Sequence, residues 1–175
     1  MERKVILYIA TSLDGYIASP DDNLDFLSVV EQEGEDYGYA QFIETVDTVI
    51  VGRKTYDKVL SMGFDFPHSD KESYIITRTP KPAIGNIQFY TEDVKTLVLK
   101  LKEQQGKNIF VDGGAEVVNL LLKDNLIDEF CISIIPVLLG DGIRLFQDNR
   151  PELPLKFVRS ETFKSGLIQV WYQKA

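Results

Sequence analysis

Short runs of β-branched and aromatic residues alternate along this chain with stretches whose apolar positions recur at helical spacing, which predicts alternating strands and helices. Val5–Ala10 reads as a buried first strand, followed by a turn and a short extended segment through Thr11–Ala18 and a loop at Ser19-Pro20-Asp21-Asp22-Asn23. From Asp36 to Thr45, Tyr39, Phe42, Ile43 and Val46 fall at helical spacing, and Thr48–Val51 is a short strand that stops at Gly52 and opens a second strand-to-helix unit. Tyr74–Thr77 and Ile87–Tyr90 are the next strands, and a helix runs from Asp93 to about Gln104. Ile109–Val111 is a buried strand leading through Gly113-Gly114 into a helix from Ala115 to Lys123, and Glu129–Ile135 is again a strand. Phe157–Phe163 and Leu167–Gln173, separated by Lys164-Ser165-Gly166, form a hairpin. The pattern predicts an α/β protein with a mixed, mainly parallel sheet, helices on both faces and an antiparallel C-terminal hairpin.

Length and charge narrow this picture. At 175 residues the chain suits one core, so residues 1–175 are expected to form a single domain. No apolar run approaches the ~18 residues of a membrane span, and Met1-Glu2-Arg3-Lys4 leads too abruptly into a strand for a signal peptide, so a cytoplasmic protein without membrane partners is expected. A net charge of −8 argues against nucleic-acid binding and requires that an anionic ligand be held by a few local donors. The one cysteine, Cys131, lies in a strand-like run and reads as a buried thiol; the one histidine, His68, lies in a Pro-His-Ser-Asp turn. No zinc-like cluster is present in the sequence, and no metal cofactor is expected.

Two glycine turns carry the candidate chemistry. Gly113-Gly114 allows close backbone approach where a strand turns into a helix, and the N–H groups of that helix's first turn, at Ala115, Glu116 and Val117, suit a pyrophosphate. A plain tight turn would leave the same trace. Gly52-Arg53-Lys54-Thr55 likewise follows a strand and opens a helix, so its N–H groups, the Thr55 hydroxyl and the Arg53 guanidinium can converge on phosphate. Thr77-Arg78 is a second candidate clamp, although exposed arginine is common.

Asp112-Gly113-Gly114, Leu126-Ile127-Asp128-Glu129 and Pro136-Val137-Leu138-Leu139-Gly140 resemble the EGG, Leu-x-Asp-Glu and Pro-x-Leu-x-Gly motifs of the C-terminal reductase domain of bifunctional riboflavin-biosynthesis enzymes, a branch of the dihydrofolate-reductase-like superfamily. Ser12-Leu13-Asp14-Gly15-Tyr16-Ile17-Ala18 resembles their Ser-Leu-Asp-Gly-x-Ile-Ala, and Gly52-Arg53-Lys54-Thr55 resembles the Gly-Arg-x-Thr of dihydrofolate reductases. The resemblance implies a dihydrofolate-reductase-like three-layer fold and an NADPH cofactor. Thr55 and Gly113-Gly114 would meet the diphosphate, Arg53 and Thr77-Arg78 the 2′-phosphate, and Ala10 the nicotinamide carboxamide. On the substrate side Asp112 stands where the resembling reductases have a Glu facing a pyrimidine, and Phe26 where they have a Trp that can stack on a heterocycle. Asp36 falls at the spacing of the catalytic carboxylate of dihydrofolate reductase and would need burial over an apolar cavity to carry a raised pKa; within the acidic run Glu31, Glu33, Glu35, Asp36 it reads more readily as a solvated helix start. Asp14 reads as a turn-forming residue before Gly15.

The substrate half departs from the family pattern. Where riboflavin-pathway reductases carry an Asp-x-Pro-x-Leu-Thr-x-Arg segment for the phosphoribosyl group, this chain has Tyr56-Asp57-Lys58-Val59-Leu60-Ser61-Met62-Gly63, and the deaminase signatures are absent from the sequence. The reading is an NADPH-dependent reductase of a small heterocycle, similar to 5-amino-6-(5-phosphoribosylamino)uracil reductase and, by resemblance, homodimeric. A dihydrofolate reductase using Asp36 and a non-catalytic NADPH-binding protein are the alternatives.

Overall fold

In the computed structural model, which describes residues 2–175, successive residues of the central strands face opposite layers, and this period of two builds the core. In β1 (Val5–Ser12), Val5 and Leu7 enter one apolar cluster and Ile6 another. β3 (Val46–Gly52) divides in the same way, Ile50 facing the first cluster and Val49 the second. The first layer is closed by α3 (Val94–Glu103) and α4 (Ala115–Lys123), which bury Leu97, Val98, Leu101, Val118 and Leu121 at helical spacing. The second is closed by α1 (Tyr39–Ile43) through Phe42, and α2 (Arg53–Ser61) buries Tyr56 beside Val51 and Ile75.

The remaining strands are β2 (Tyr16–Ala18), β4 (Glu72–Ile76), β5 (Ile87–Tyr90), β6 (Asn108–Gly113), β7 (Glu129–Ile135), β8 (Ile143–Arg144), β9 (Leu155–Thr162) and β10 (Ile168–Lys174). Eight of the ten strands of the described residues form one sheet in the order β5-β4-β3-β6-β1-β7-β10-β9. Every pairing from β5 to β7 is parallel, and β10 and β9 add an antiparallel hairpin at the far edge. Parallel order places the C-terminal ends of β3, β6 and β1 side by side, which is where ligands bind in open α/β sheets.

The expected helix from Asp36 to Thr45 shrinks to the five residues of α1. Tyr37 and Gly38 have φ of 57° and 82°, a left-handed backbone through which a right-handed helix cannot run. The short extended segment expected before Ala18 is β2, which pairs with β8 in a separate two-stranded sheet; that pairing and the 3-10 helix at Asp25–Val30 were not expected, because segments of two to six residues carry no readable period. The helix expected from Asp93 starts one residue later, because Asp93 is its cap: the carboxylate accepts from the Thr96 N–H at 2.9 Å.

Polar residues tie the layers at fixed points. Arg3 is 3% exposed and donates to the carbonyls of Leu101 and Lys107, the Thr48 hydroxyl and the Asp47 carboxylate. Asp128 of the Leu-Ile-Asp-Glu motif accepts from the Val5 N–H at 2.8 Å and from Lys102 and Lys174 at 2.9 Å each. Cys131 is fully buried, as expected of a structural thiol, and burial pushes the thiol's pKa up. Among the described residues no helix is long and apolar enough to cross a membrane, and no group of three or more His, Cys, Asp or Glu side chains is arranged to hold a metal ion.

Candidate functional site

The two glycine turns lie against each other. β3 and β6 are parallel neighbours with Val51 opposite Gly113, so α2 and α4 both begin at the same edge of the sheet. A Cβ on Gly52 would lie 3.3 Å from Val117 Cγ2 and 3.4 Å from the Gly114 nitrogen, and one on Gly114 would lie 3.3 Å from Thr55 Oγ1. The absent side chains let the two turns pack closely, and the N-termini of α2 and α4 meet there at the edge of the sheet. Unpaired N–H groups and aligned peptide dipoles at both ends make this edge attractive to an anion. Gly113 itself has φ of 117°, which an L side chain rarely adopts, and the Gly113-Gly114 peptide is cis.

A cleft of about 1410 Å³ runs along this edge. Gly52, Arg53, Thr55, Thr77 and Arg78 line it from the α2 side, and Gly114, Ala115, Glu116 and Val117 from the α4 side, so the residues singled out around the two turns, Gly113 excepted, line one cleft. Arg53 is held in place: its Nε donates to both Asp57 carboxylate oxygens at 2.9 Å, Nη1 donates to Thr77 Oγ1 at 3.3 Å, and the guanidinium lies 5.9 Å from the Phe89 ring centre. Arg78 is 95% exposed and meets the Glu116 carboxylate at 3.5 Å. The two arginines thus differ, one braced by its own helix and one exposed to water.

At its other end the cleft reaches Tyr8, Ala10, Tyr39, His68 and Asp112. Asp112 projects from the end of β6, and one of its oxygens lies 3.4 Å from Nε2 of His68. Burial, followed by the nearby Asp112 charge, pushes the Tyr39 hydroxyl well above the ordinary tyrosine pKa. Burial likewise pushes Tyr8 up to about 12. A second cavity of about 690 Å³ opens beside Ile9 and Ala10 and is lined by Leu24, Leu27, Val30 and Met62, with Asp25, Glu31, Asp36 and Lys58 among its charged groups.

Two of the substrate-side expectations are corrected. Phe26 is 8% exposed, packed in the core with Val30, Ile135 and Leu167, and lines neither cavity; Leu27, the next residue of the 3-10 helix, faces them instead. A ring buried to that extent offers no face for stacking. Asp36 is exposed, and its carboxylate accepts from the N–H groups of Ala40 at 3.0 Å and Gly38 at 2.9 Å. Those bonds, Ala40 first, hold its pKa below the ordinary aspartate value, the opposite of the raised value that a buried acid would show. Asp36 is the capping group of α1.

Asp14 does more than form a turn. Its carboxylate accepts from Ser12 Oγ, from the Leu139 N–H at 3.1 Å and from the Gly140 N–H at 2.7 Å, binding the loop after β1 to the Pro136–Gly140 loop. Sequence reasoning missed His68 as a cleft residue, as well as Tyr8 and Tyr39. Tyr39 was legible only as a core position, and nothing around His68 in the chain announces its contact with Asp112, forty-four residues later.

Comparison with known proteins agrees with this geometry. Uncharacterized protein YwjB of Bacillus subtilis (strain 168) is 43% identical over 176 residues, covering 100% of both chains. The crystal structure of a putative riboflavin biosynthesis protein from Shewanella sp. PV-4 superposes with a TM-score of 0.87 at 32% identity, over 100% of this chain and 99% of that one. Dihydrofolate reductase from Enterococcus faecalis, complexed with NADP(H), superposes with a TM-score of 0.68 at 14% identity over 99% of each chain. The architecture is therefore dihydrofolate-reductase-like, as the motifs implied. A family model described as the RibD C-terminal domain matches residues 3–169, and with the glycine turns, the Asp-Gly-Gly strand end and the Pro136–Gly140 loop all falling inside that span, the chain belongs to the RibD C-terminal domain family of reductase-type domains.

Proposed function

We propose that this protein is an NADPH-dependent reductase that delivers hydride to a small conjugated heterocycle, with residues 1–175 acting as one domain. The observation that carries the reading is the close packing of the Gly52 and Gly113-Gly114 turns, which sets the first turns of α2 and α4 side by side along the cleft, where their free N–H groups could meet a diphosphate. The same reading gives Thr55 and the first-turn N–H groups of Ala115, Glu116 and Val117 to the diphosphate. Arg53, braced by Asp57, and Thr77-Arg78 would meet the 2′-phosphate that distinguishes NADPH from NADH. Ala10, which borders both cavities, would take the carboxamide. The bound cofactor supplies the hydride; the chain's own residues bind, orient and exclude water.

For the substrate, we favour a ring without a phosphate. The smaller cavity carries Asp25, Glu31 and Asp36 against Lys58 alone among its charged groups, a poor setting for a phosphoribosyl group. The segment that would bind that group in uracil reductases of the riboflavin pathway is here the body of α2. The dihydrofolate reductase reading is weakened by the capping role of Asp36. We propose in addition a homodimer formed through the exposed β9 edge, where Leu155, Phe157 and Val158 face solvent.

Calorimetric titration with NADPH and NADH, repeated on Arg53→Ala, tests the cofactor reading. We expect NADPH to bind more tightly than NADH and the variant to lose about 1.5–3 kcal/mol of that preference, the worth of a charge-assisted hydrogen bond. Absence of binding by either dinucleotide would overturn it. NADPH binding without oxidation across a broad heterocycle panel would instead identify a non-catalytic dinucleotide-binding protein.

A further inference from the structure

His68 is the only histidine of the chain and is 3% exposed. Burying an imidazole among apolar groups is costly unless the ring has polar work to do. Its backbone is anchored, the carbonyl accepting from Ser73 Oγ and the Lys71 N–H at 3.0 Å each. Its ring stands edge-on between two aromatic rings, 5.3 Å from Phe66 at 87° and 5.6 Å from Phe110 at 84°. These rings flank the imidazole, and its Nε2 lies 3.4 Å from Asp112 Oδ2, near the end of the strand that leads into the glycine turn. Both side chains border the cleft, and Asp112 keeps about a quarter of its side-chain surface open to it, at 27%. An acid that a neighbouring imidazole orients, exposed on one side only, is arranged to give a proton to something lying in the cleft.

We propose that His68 is a positioning residue that orients Asp112 and restores its proton, so that Asp112 serves as the acid in reduction of an uncharged cyclic imine. This rests on the reductase reading above. The carbon of the C=N bond takes hydride from the reduced nicotinamide, which leaves oxidised. The π electron pair moves onto nitrogen, which takes the proton that the His68 imidazolium gives up and the Asp112 carboxylate passes on. The neutral His68 then recovers a proton from water in the cleft. The net change is one hydride and one proton added across C=N, with one NADPH oxidised.

Two measurements test the pair. The single imidazole gives one set of ring signals in a nitrogen-15 spectrum of the NADPH-saturated protein, and Asp112→Asn should displace them; signals that stay in place would show that the two side chains do not interact and overturn the proposal. In steady-state assays with 7,8-dihydropterin, 3,4-dihydroisoquinoline and 1-pyrroline, His68→Gln should lower kcat by about 10²-fold or more on the fastest of them, the usual scale of acid catalysis, while KM stays within about threefold. NADPH affinity of the variant should be unchanged, and the solvent deuterium isotope effect on kcat should rise. An unchanged kcat, a loss carried by KM, or no turnover of any imine by the wild type would each overturn the proposal while leaving the cofactor site intact. Failure of the wild type to bind NADPH would instead remove the reductase reading beneath it. Should His68→Gln not fold, the Asp112→Asn variant carries both tests.

Discussion

Asp128 shows how much a single side chain of a family motif can do for the fold alone. Burial by itself would raise its pKa, but hydrogen bonds from Lys102, the Val5 N–H and Lys174 outweigh that and hold it below the ordinary aspartate value of 3.8. A carboxyl whose pKa is lower in the folded than in the unfolded state adds stability above the unfolded value and loses it as pH falls through the folded one. Thermal melts from pH 7 down to pH 2 should therefore show wild-type Tm falling more steeply below about pH 4 than that of Asp128→Asn, which should be the less stable protein at pH 7. Asp36 belongs to the opposite category from the one its spacing suggested. Replacing Asp36 with Asn leaves the Gly38 and Ala40 N–H groups an acceptor, so we expect kcat to stay within about twofold and Tm to drop by a few degrees, on the scale of a cap worth about 1 kcal/mol. A loss of activity greater than tenfold in that variant would return the dihydrofolate reductase mechanism to contention. The helix-start reading of Asp36 was available in the local sequence, but the partners of both carboxylates were not, because they depend on which donors the fold brings to them.

At the scale of elements, the pairing of strand end with glycine and helix is the feature most fully legible in the chain. The run Ile109–Val111, the glycine pair and the helix from Ala115 emerge where the apolar periodicity puts them, since buried parallel strands and amphipathic helices leave distinct periods. What periodicity does not carry is that the Gly52 and Gly114 turns touch. Gly114→Ala probes this contact: its Cβ would press on Thr55 Oγ1 at 3.3 Å while the surrounding core is undisturbed. We expect the variant to weaken NADPH at least tenfold in calorimetry with a Tm change of only a few degrees. Gly142→Ala should behave in the reverse way, because its Cβ would collide with the Ala18 carbonyl oxygen in a backbone with φ of 149°. That substitution would break the contact between β2 and β8, and thermal denaturation should register it before any cofactor assay does. The shortened α1 has a similar explanation: apolar spacing marked a helix, but left-handed residues at Tyr37 and Gly38 start it late.

For the whole molecule, the sheet ends on β9 with all eight of its residues exposed, and an open apolar edge of this kind invites pairing with another chain. Phe157, 58% exposed, is the residue to change. If the dimer forms there, Phe157→Asp should convert it to monomer in sedimentation experiments while NADPH affinity is retained; a wild-type monomer, or a dimer indifferent to the substitution, would refute that arrangement. By itself the amino-acid sequence determined the alternation of strands and helices, the C-terminal hairpin and the family motifs, because each is written in residues adjacent in the chain or separated by a fixed period. Only the tertiary structure decided that Phe26 lies in the core, that Asp36 caps a helix, that Asp14 ties two loops together and that His68 meets Asp112. Those facts concern which groups share a neighbourhood after folding, and a side chain's burial and partners follow from packing between layers that no local pattern records.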